Sequence, residues 1–192
     1  QEAVPPGIGA MAAILGLADD QVIAVCEQGT SDTMIVQAVN FNSPGQVVIA
    51  GHDNAVEKAM VLAKEAGAKR AVKLPVSVPS HSSLMSEAAQ QLGEVLSSIE
   101  IKSPDIPVLH NVDAKAHSDA DEIRQCLQQQ LHQPVLWVAT VNNLIAQGVD
   151  NIIECGPGKV LAGLNRRIDK TVTNYTIDTI ENFNALKSAL EE

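Results

Sequence analysis

A single histidine, His81, lies in the segment PVSVPSHSSLM, which spans residues 75–85 and carries two prolines before it. The segment has neither the 3.6-residue period of a helix nor the two-residue period of a strand, so we predict a loop. An imidazole titrates near neutral pH and can take and return a proton, which makes His81 a candidate general base. Most loop histidines are surface or hydrogen-bonded structural residues, so this role needs support from elsewhere in the chain.

A general base requires a nucleophile. Ser80 and Ser82 flank His81, but neighbours on a loop do not offer a hydroxyl and an imidazole to each other in the geometry of attack. The sequence contains no GxSxG, the strand-turn-helix elbow that presents a nucleophilic serine in many hydrolases. If His81 is a base, its nucleophile therefore lies elsewhere.

The other candidate motifs favour structural roles. The GPGKVLAG segment, residues 156–163, departs from a phosphate-binding loop because one residue separates its first two glycines and Val160 follows Lys159. It predicts a tight strand-to-helix turn. We expect no metal site and no bound cofactor, because the remaining histidines and the cysteines lack the spacing of metal ligands: His52, His110, His117, His132, Cys26, Cys126 and Cys155.

Composition excludes several classes of function. The 192 residues are 45% hydrophobic but only 2% aromatic, which predicts an aliphatic core in one domain or two small ones. A net charge of -10 repels nucleic acid phosphates, and no apolar run is long enough to span a bilayer. Three widely spaced cysteines indicate reduced, mostly buried thiols, and we predict a cytoplasmic location.

The first half of the chain alternates strands and helices in the order strand, helix, strand, strand, helix, strand, which is the ferredoxin-like unit. The turn signal Asn42-Ser43-Pro44-Gly45 joins the middle two strands as a hairpin. Helix caps are expected from Asp19 or Asp20, from Asp53 or Asn54, and from Gly67. The predicted strands are 9–17, 35–40, 46–50 and 69–74, and the predicted helices are 19–28 and 55–66.

The second half predicts a largely parallel, helix-covered sheet, because its strands alternate with helices. Asp119 or Ser118 and later Thr179 are expected to cap helices, and Pro134 is expected to begin one. We divide the chain into a linker, 1–8, a ferredoxin-like small subdomain, 9–74, and a second part, 75–192. The predicted strands of this part are 106–111, 151–155 and 172–177, and its helices are 82–98, 119–131, 134–147, one from the 156–158 turn to Ile168, and one after Thr179.

Four ordered motifs resemble bacterial malonyl-CoA:acyl carrier protein transacylases. They are NFNSPGQVVIAG (40–51), AGAKRAVKLPVSVPSH (66–81), the QLxxPVxW pattern (130–137) and GPGKVLAGLNRRI (156–168). The resemblance covers essentially the whole chain. It implies an α/β fold in which a ferredoxin-like small subdomain is inserted into an α/β-hydrolase-like large subdomain, of which this chain would supply the C-terminal part.

The resemblance also implies a reaction and its residues. Members of the family transfer malonyl from CoA to the phosphopantetheine thiol of acyl carrier protein through a serine acyl-enzyme. His81 matches the base, Gln130 matches the position whose backbone carbonyl holds the imidazole, and Asn42 matches a polar residue that faces the cleft. The family's GHSLG serine, the arginine that pairs with the malonyl carboxylate and the oxyanion-hole glutamine segment precede the region that Gln1 matches. We therefore expect the 192-residue chain to be inactive alone.

Charge suggests where the carrier protein docks. Carrier proteins are acidic, so basic residues are needed at the docking surface of a protein with a net charge of -10. Lys69–Arg70 and Arg166–Arg167 are the candidates, although the second pair also suits the negative end of a helix dipole. Two alternatives remain open: a non-catalytic remnant that binds acyl carrier protein, and a small-molecule regulatory module formed by the ferredoxin-like half.

Overall fold

A computed structural model describes residues 4–5 and 7–191. The chain divides into two compact units, Gln1–Thr140 and Val141–Glu192. Within the described residues, none of the helices combines the length and the apolar character that crossing a membrane requires.

A four-stranded antiparallel sheet forms the centre of the first unit. The predicted order of its strands and helices is confirmed, and the strands lie side by side in the order β2-β3-β1-β4. The elements are β1 (Gly9–Leu15), α1 (Asp19–Gly29), β2 (Val36–Ser43), β3 (Gln46–His52), α2 (Asp53–Glu65) and β4 (Arg70–Lys73).

Both helices pack against the sheet through small and β-branched side chains. Ile14 and Ile49 from the central strands and Val56 from α2 are fully buried in one cluster. Burying each of these side chains contributes about 1.5–3 kcal/mol of hydrophobic stabilisation. The aliphatic core predicted from the composition is therefore the part of the first unit that holds its sheet and helices together.

Only some of the predicted helix caps in the first unit are found in the structure. The expectation that aspartate or asparagine caps α1 and α2 is wrong: the N-cap residues are Ala18 and His52, neither with a side-chain cap. At α1, the Gln21 side chain instead accepts a hydrogen bond of 3.0 Å from the Ala18 N–H. The glycine cap is confirmed, since Gly67 has a φ of 99° and its N–H donates to the Lys64 carbonyl at 3.0 Å.

The hairpin turn is shorter than predicted. It comprises Pro44 and Gly45, with a φ of 73° at the glycine, while Asn42 lies within β2. The placement of Asn42 in the turn is therefore wrong. The register of the β2–β3 ladder shifts between Phe41 and Ser43, so that Asn42 occupies an irregularity at the end of the strand.

Residues 75–140 belong to the first unit, and their regular structure is helical. A short 3₁₀ turn, Ser83–Met85, leads into α3 (Ser86–Ser97), and α4 (Ala120–Gln129) and α5 (Trp137–Ala146) follow. The predicted cap of α4 is confirmed, because Asp119 accepts hydrogen bonds from two backbone N–H groups of the first turn.

Two predictions in this segment are wrong. Residues 106–111 form no strand; only an isolated bridge joins Leu109 to Ala116, and Ile106 is 76% exposed. Pro134 does not begin α5, because Val135 pairs with β2 through two backbone hydrogen bonds, 2.8 Å to the Val39 carbonyl and 3.0 Å from the Phe41 N–H. The helix therefore begins at Trp137.

The second unit contains a two-stranded parallel sheet. Its elements are β5 (Asn151–Glu154), α6 (Val160–Ile168), β6 (Thr173–Thr176) and α7 (Ile180–Leu190). The predicted Thr179 cap is confirmed, with the side chain accepting a hydrogen bond from the Asn182 N–H at 3.1 Å. Residues 156–159 form the predicted strand-to-helix turn, and the Glu154 carboxylate accepts from the Leu161 and Ala162 N–H groups at 3.1 and 2.8 Å.

Candidate active site

The loop that follows β4 is held tightly against the first strand. The Leu74 N–H donates to the Met11 carbonyl at 2.8 Å, and Pro79 is fully buried. Gly9 leaves room for that proline, because a Cβ at Gly9 would lie 2.4 Å from Pro79 Cδ and 2.9 Å from the Ser77 carbonyl oxygen. The loop therefore runs along β1 at a distance that a larger residue would not allow.

His81 adopts a left-handed backbone conformation with a φ of 66°. Such a conformation costs a non-glycine residue about 1–3 kcal/mol and persists only where the surroundings impose it. The buried Ser82 side chain donates a 2.7 Å hydrogen bond to the Pro79 carbonyl, and the Met85 N–H donates to the Ser82 carbonyl at 3.0 Å. These bonds fix the backbone on both sides of the histidine.

The C-terminal end of α4 anchors the imidazole. Nδ1 of His81 lies 2.6 Å from the backbone carbonyl oxygen of Gln130, and the His81 N–H donates to the Leu131 carbonyl at 3.0 Å. Gln130 is the C-cap of α4, where carbonyl groups lack partners within the helix. A carbonyl only accepts hydrogen bonds, so Nδ1 carries the proton and Nε2 keeps its lone pair.

The strand β2 supports the same loop from a third direction. The Gln37 side-chain oxygen accepts a 2.8 Å hydrogen bond from the Ser83 N–H. The His81 residue is half-buried. An imidazole with a fixed tautomer whose Nε2 keeps its lone pair can act chemically as a general base.

The buried flanking serine is not arranged as a nucleophile for this base. The Ser82 hydroxyl is fully buried and donates to the Pro79 carbonyl, which turns it away from a substrate. For Ser80, in the turn before His81, the expectation stands that neighbours on a loop do not meet in the geometry of attack. The loop therefore offers the base and α4 its hydrogen-bond partner, and we expect the hydroxyl to come from another segment.

The other predicted site residues lie on other segments of the chain. Asn42 is near the end of β2, five residues beyond Gln37, and the N–H of its neighbour Phe41 donates to the Val135 carbonyl at 3.0 Å. Arg70 pairs with Leu15, at the end of β4 opposite to the loop. Lys69 is exposed, as are Arg166 and Arg167 in the last turn of α6.

The histidines and cysteines outside the His81 loop differ in burial and in hydrogen-bond partners. Nδ1 of His52 accepts a hydrogen bond of 3.0 Å from the Ile35 N–H, which is a structural role. Burial, together with the charge of Glu27, raises the pKa of the Cys26 thiol to about 12, whereas Cys155 is exposed. Sequence reasoning missed the contacts of His117 with two carboxylates, although the acidic residues within five positions of it were a local signal.

Comparisons with known proteins match the whole chain, although no family model matches it. The chain is 50% identical over 191 residues to the malonyl CoA-acyl carrier protein transacylase of Escherichia coli K12, covering 100% of this chain and 60% of that protein. It is 44% identical to the enzyme of the same name from Bacillus subtilis, with the same coverage.

Solved structures agree with these relatives. A crystal structure of an acyl carrier protein S-malonyltransferase from Vibrio cholerae superposes with a TM-score of 0.94 at 50% identity, covering 97% of this chain and 60% of that one. A second match is a solved complex of a type II polyketide synthase acyl carrier protein with its malonyl-transacylase. It has a TM-score of 0.94 at 48% identity and covers 98% of this chain and 61% of the matched one. The chain thus spans about 60% of the length of the relatives it matches.

Proposed function

We propose that this chain, which belongs to the malonyl-CoA:acyl carrier protein transacylase family, supplies the general base for transfer of malonyl from CoA to acyl carrier protein in fatty acid biosynthesis. The observation that carries the proposal is the 2.6 Å contact between His81 Nδ1 and the Gln130 carbonyl oxygen. It leaves Nε2 as the basic atom on a loop that the surrounding hydrogen bonds hold in place.

The proposed reaction has two similar halves. In the first, His81 Nε2 takes the proton of a serine hydroxyl while the serine oxygen attacks the malonyl thioester carbon, and the CoA thiolate leaves with that proton. In the second, Nε2 takes the proton of the phosphopantetheine thiol, the sulfur attacks the serine ester, and the serine oxygen recovers the proton. We assign the serine to a GHSLG elbow outside these 192 residues, since the sequence contains none.

Gln130 contributes by holding the charge that forms on the ring. When Nε2 accepts the proton, the Nδ1–H bond to the Gln130 carbonyl becomes a charge-assisted hydrogen bond, which is roughly twice as strong as a neutral one. The carbonyl lies at the C-terminus of α4, where the helix dipole also favours a cation. The same contact therefore orients the neutral ring and stabilises the protonated one.

The finer description of the fold is part of the proposal. We assign 9–74 to a ferredoxin-like small subdomain, which the sheet order β2-β3-β1-β4 supports. We assign 75–192 to the C-terminal part of an α/β-hydrolase-like large subdomain and 1–8 to a linker. Three free cysteines agree with the reducing cytoplasm as the proposed location.

We propose that the carrier protein docks on the basic pairs Lys69–Arg70 and Arg166–Arg167. All four residues are exposed, and they provide positive charge on an otherwise acidic chain. Charge reversal of either pair is expected to raise KM for carrier protein at low salt with little change in KM for malonyl-CoA. A KM for carrier protein that stays unchanged at low salt would refute docking at that pair. Asn42 is proposed to line the cleft, where alanine in its place should raise KM for malonyl-CoA.

Reading the nucleotides upstream of the Gln1 codon tests the proposal most simply. An open reading frame that carries GHSLG supports the complete enzyme, and the protein it encodes should transfer malonyl to holo acyl carrier protein. The 192-residue chain assayed alone should transfer none. Transfer by the isolated chain, or a complete protein that binds carrier protein without transferring malonyl, would contradict the proposal.

A further inference from the structure

A second cluster of reactive side chains lies beside α4, and the proposed transfer reaction does not use it. Asp113, His117 and Cys126 place a carboxylate oxygen, a ring nitrogen and a sulfur within 4.8 Å of one another. We propose that these three side chains bind a divalent transition-metal cation, with Zn²⁺ as the best match. Carboxylate oxygen, imidazole nitrogen and thiolate sulfur are all preferred ligands of that ion.

A tight turn presents the carboxylate. The Ala114 N–H donates to the His110 carbonyl at 2.9 Å, and the His110 N–H donates to the Lys115 carbonyl at the same distance. Ala114 has a φ of 57°, which closes the turn. The Lys115 N–H then donates to Asp113 Oδ1 at 3.1 Å, so that Oδ2 is the atom directed at His117.

The helix α4 supplies the thiol and the group that orients the imidazole. Glu122 and Cys126 are one helical turn apart, and Glu122 Oε2 lies 3.2 Å from His117 Nδ1. Nε2 of the same ring lies 2.7 Å from Asp113 Oδ2. When Nδ1–H donates to Glu122, Nε2 can bind a cation, which is the carboxylate–histidine–metal arrangement common in metal sites.

The ligand atoms need shifts of up to about an ångström to bind one zinc ion. Bonds of about 2.3 Å to sulfur and about 2.0–2.1 Å to nitrogen or oxygen place two ligands of a tetrahedral zinc ion about 3.3–3.6 Å apart. Ligand atoms that lie within 4.8 Å of one another reach that separation by approaching at most about 1.2 Å, whereas His117 Nε2 and Asp113 Oδ2, which are 2.7 Å apart, would separate by roughly 0.6 Å. A cation between Nε2 and Oδ2 would take the place of the proton that these two atoms share, and water would complete the tetrahedron.

Two of the three ligands are partly exposed. Cys126 is only 6% exposed, but the side chains of Asp113 and His117, whose ligand atoms lie within 4.8 Å of its sulfur, are 32% and 18% exposed. The carboxylates of Asp113 and Glu122 give the cluster a negative potential that attracts a dication. A cation therefore has exposed ligands to bind first and an electrostatic reason to approach.

Cobalt(II) titration followed by absorption spectroscopy tests the site. The 192-residue chain should first carry Cys155→Ser, because that exposed thiol would bind cobalt itself. We expect a thiolate-to-cobalt charge-transfer band and visible d–d bands that saturate at one equivalent and disappear when Zn²⁺ is added. Glu122→Gln should weaken cobalt binding by about 10–100-fold, because it loosens the orientation of the imidazole.

Control variants separate metal binding from a structural ion-pair network. Cys126→Ser in the same background should abolish the charge-transfer band, and far-ultraviolet circular dichroism checks that the variant folds. If it does not fold, the Glu122→Gln titration decides, because that exposed residue can be changed without disturbing the core. The absence of a band in the Cys155→Ser protein would overturn the proposal, as would affinity unchanged by Glu122→Gln.

Discussion

Replacing His81 by glutamine in the proposed complete enzyme tests its proposed role as a base. The glutamine amide can still donate a hydrogen bond to the Gln130 carbonyl, so the anchor seen at 2.6 Å has a substitute. It offers no basic nitrogen at the position of Nε2. We therefore expect acylation to slow by about two to four orders of magnitude, the usual contribution of general-base catalysis, which equals about 2.7–5.5 kcal/mol of activation free energy.

Rapid mixing with malonyl-CoA measures this step directly, because acylation of the serine releases free CoA in a burst. Gln130→Ala is the matched control: it removes the side chain but keeps the backbone oxygen that contacts the ring. Its acylation rate should stay within about twofold of the unchanged protein, the equivalent of ~0.5 kcal/mol. Near-normal acylation by the His81→Gln enzyme, or a large loss with Gln130→Ala, would refute the reasoning.

Three further outcomes follow from particular contacts. In urea denaturation, Gly9→Ala should lower the free energy of unfolding by about 1–3 kcal/mol, because its Cβ would clash with Pro79. Gly163→Ala, whose Cβ would have nothing within 4 Å, should raise the free energy of unfolding by up to about 1 kcal/mol, because alanine is the better helix former. Burial raises the pKa of Cys26 from 9.0 to about 12, so its protonated thiol contributes fully to the free energy of unfolding below pH 9.0, and this contribution should be lost as the pH rises towards about 12. In urea denaturation at several pH values, Cys26→Ala should flatten this decrease in the free energy of unfolding, whereas Cys155→Ala, at an exposed position, should leave the decrease unchanged. Glu154→Ala should cost about 0.5–2 kcal/mol by removing the acceptor for two N–H groups of α6, as thermal melting can show.

Short-range signals predicted the local features that depend on one or two residues. Gly67 ends α2 because only a residue tolerant of positive φ fits there, and Asp119 and Thr179 cap helices because their side chains reach nearby N–H groups. The same reasoning failed at Asp19 and Asp53. Both aspartates lie inside the first turn, where the helix dipole favours them without any cap hydrogen bond.

Long-range pairing explains the larger errors. The start of α5 moved because Val135 bonds to β2, a partner that no local window contains. The expected strand at 106–111 contains Pro107, which has no backbone N–H to donate, and among the described residues only the isolated Leu109–Ala116 bridge pairs with it. Apolar composition alone was not enough to form a strand there.

At the candidate site too, local sequence signals predicted the local structure but not the contacts between distant residues. The loop position of His81 followed from its proline-rich surroundings, but its positive φ did not. Its contact with Gln130 joins residues 49 positions apart, so the family resemblance indicated it and residue patterns did not. The cluster around His117 was missed for a related reason, because Cys126 joins it only once α4 has formed.

The tautomer of His81 tests the central claim most directly. A long-range proton–nitrogen NMR correlation spectrum of the 192-residue chain, recorded where the ring is neutral and assigned with the His81→Gln variant, distinguishes a protonated Nδ1 from a protonated Nε2. We predict a protonated Nδ1, bound to the Gln130 carbonyl, and an Nε2 with the shift of an unprotonated nitrogen. A proton found on Nε2 would contradict the account, because the atom proposed to accept the hydroxyl proton would already carry one.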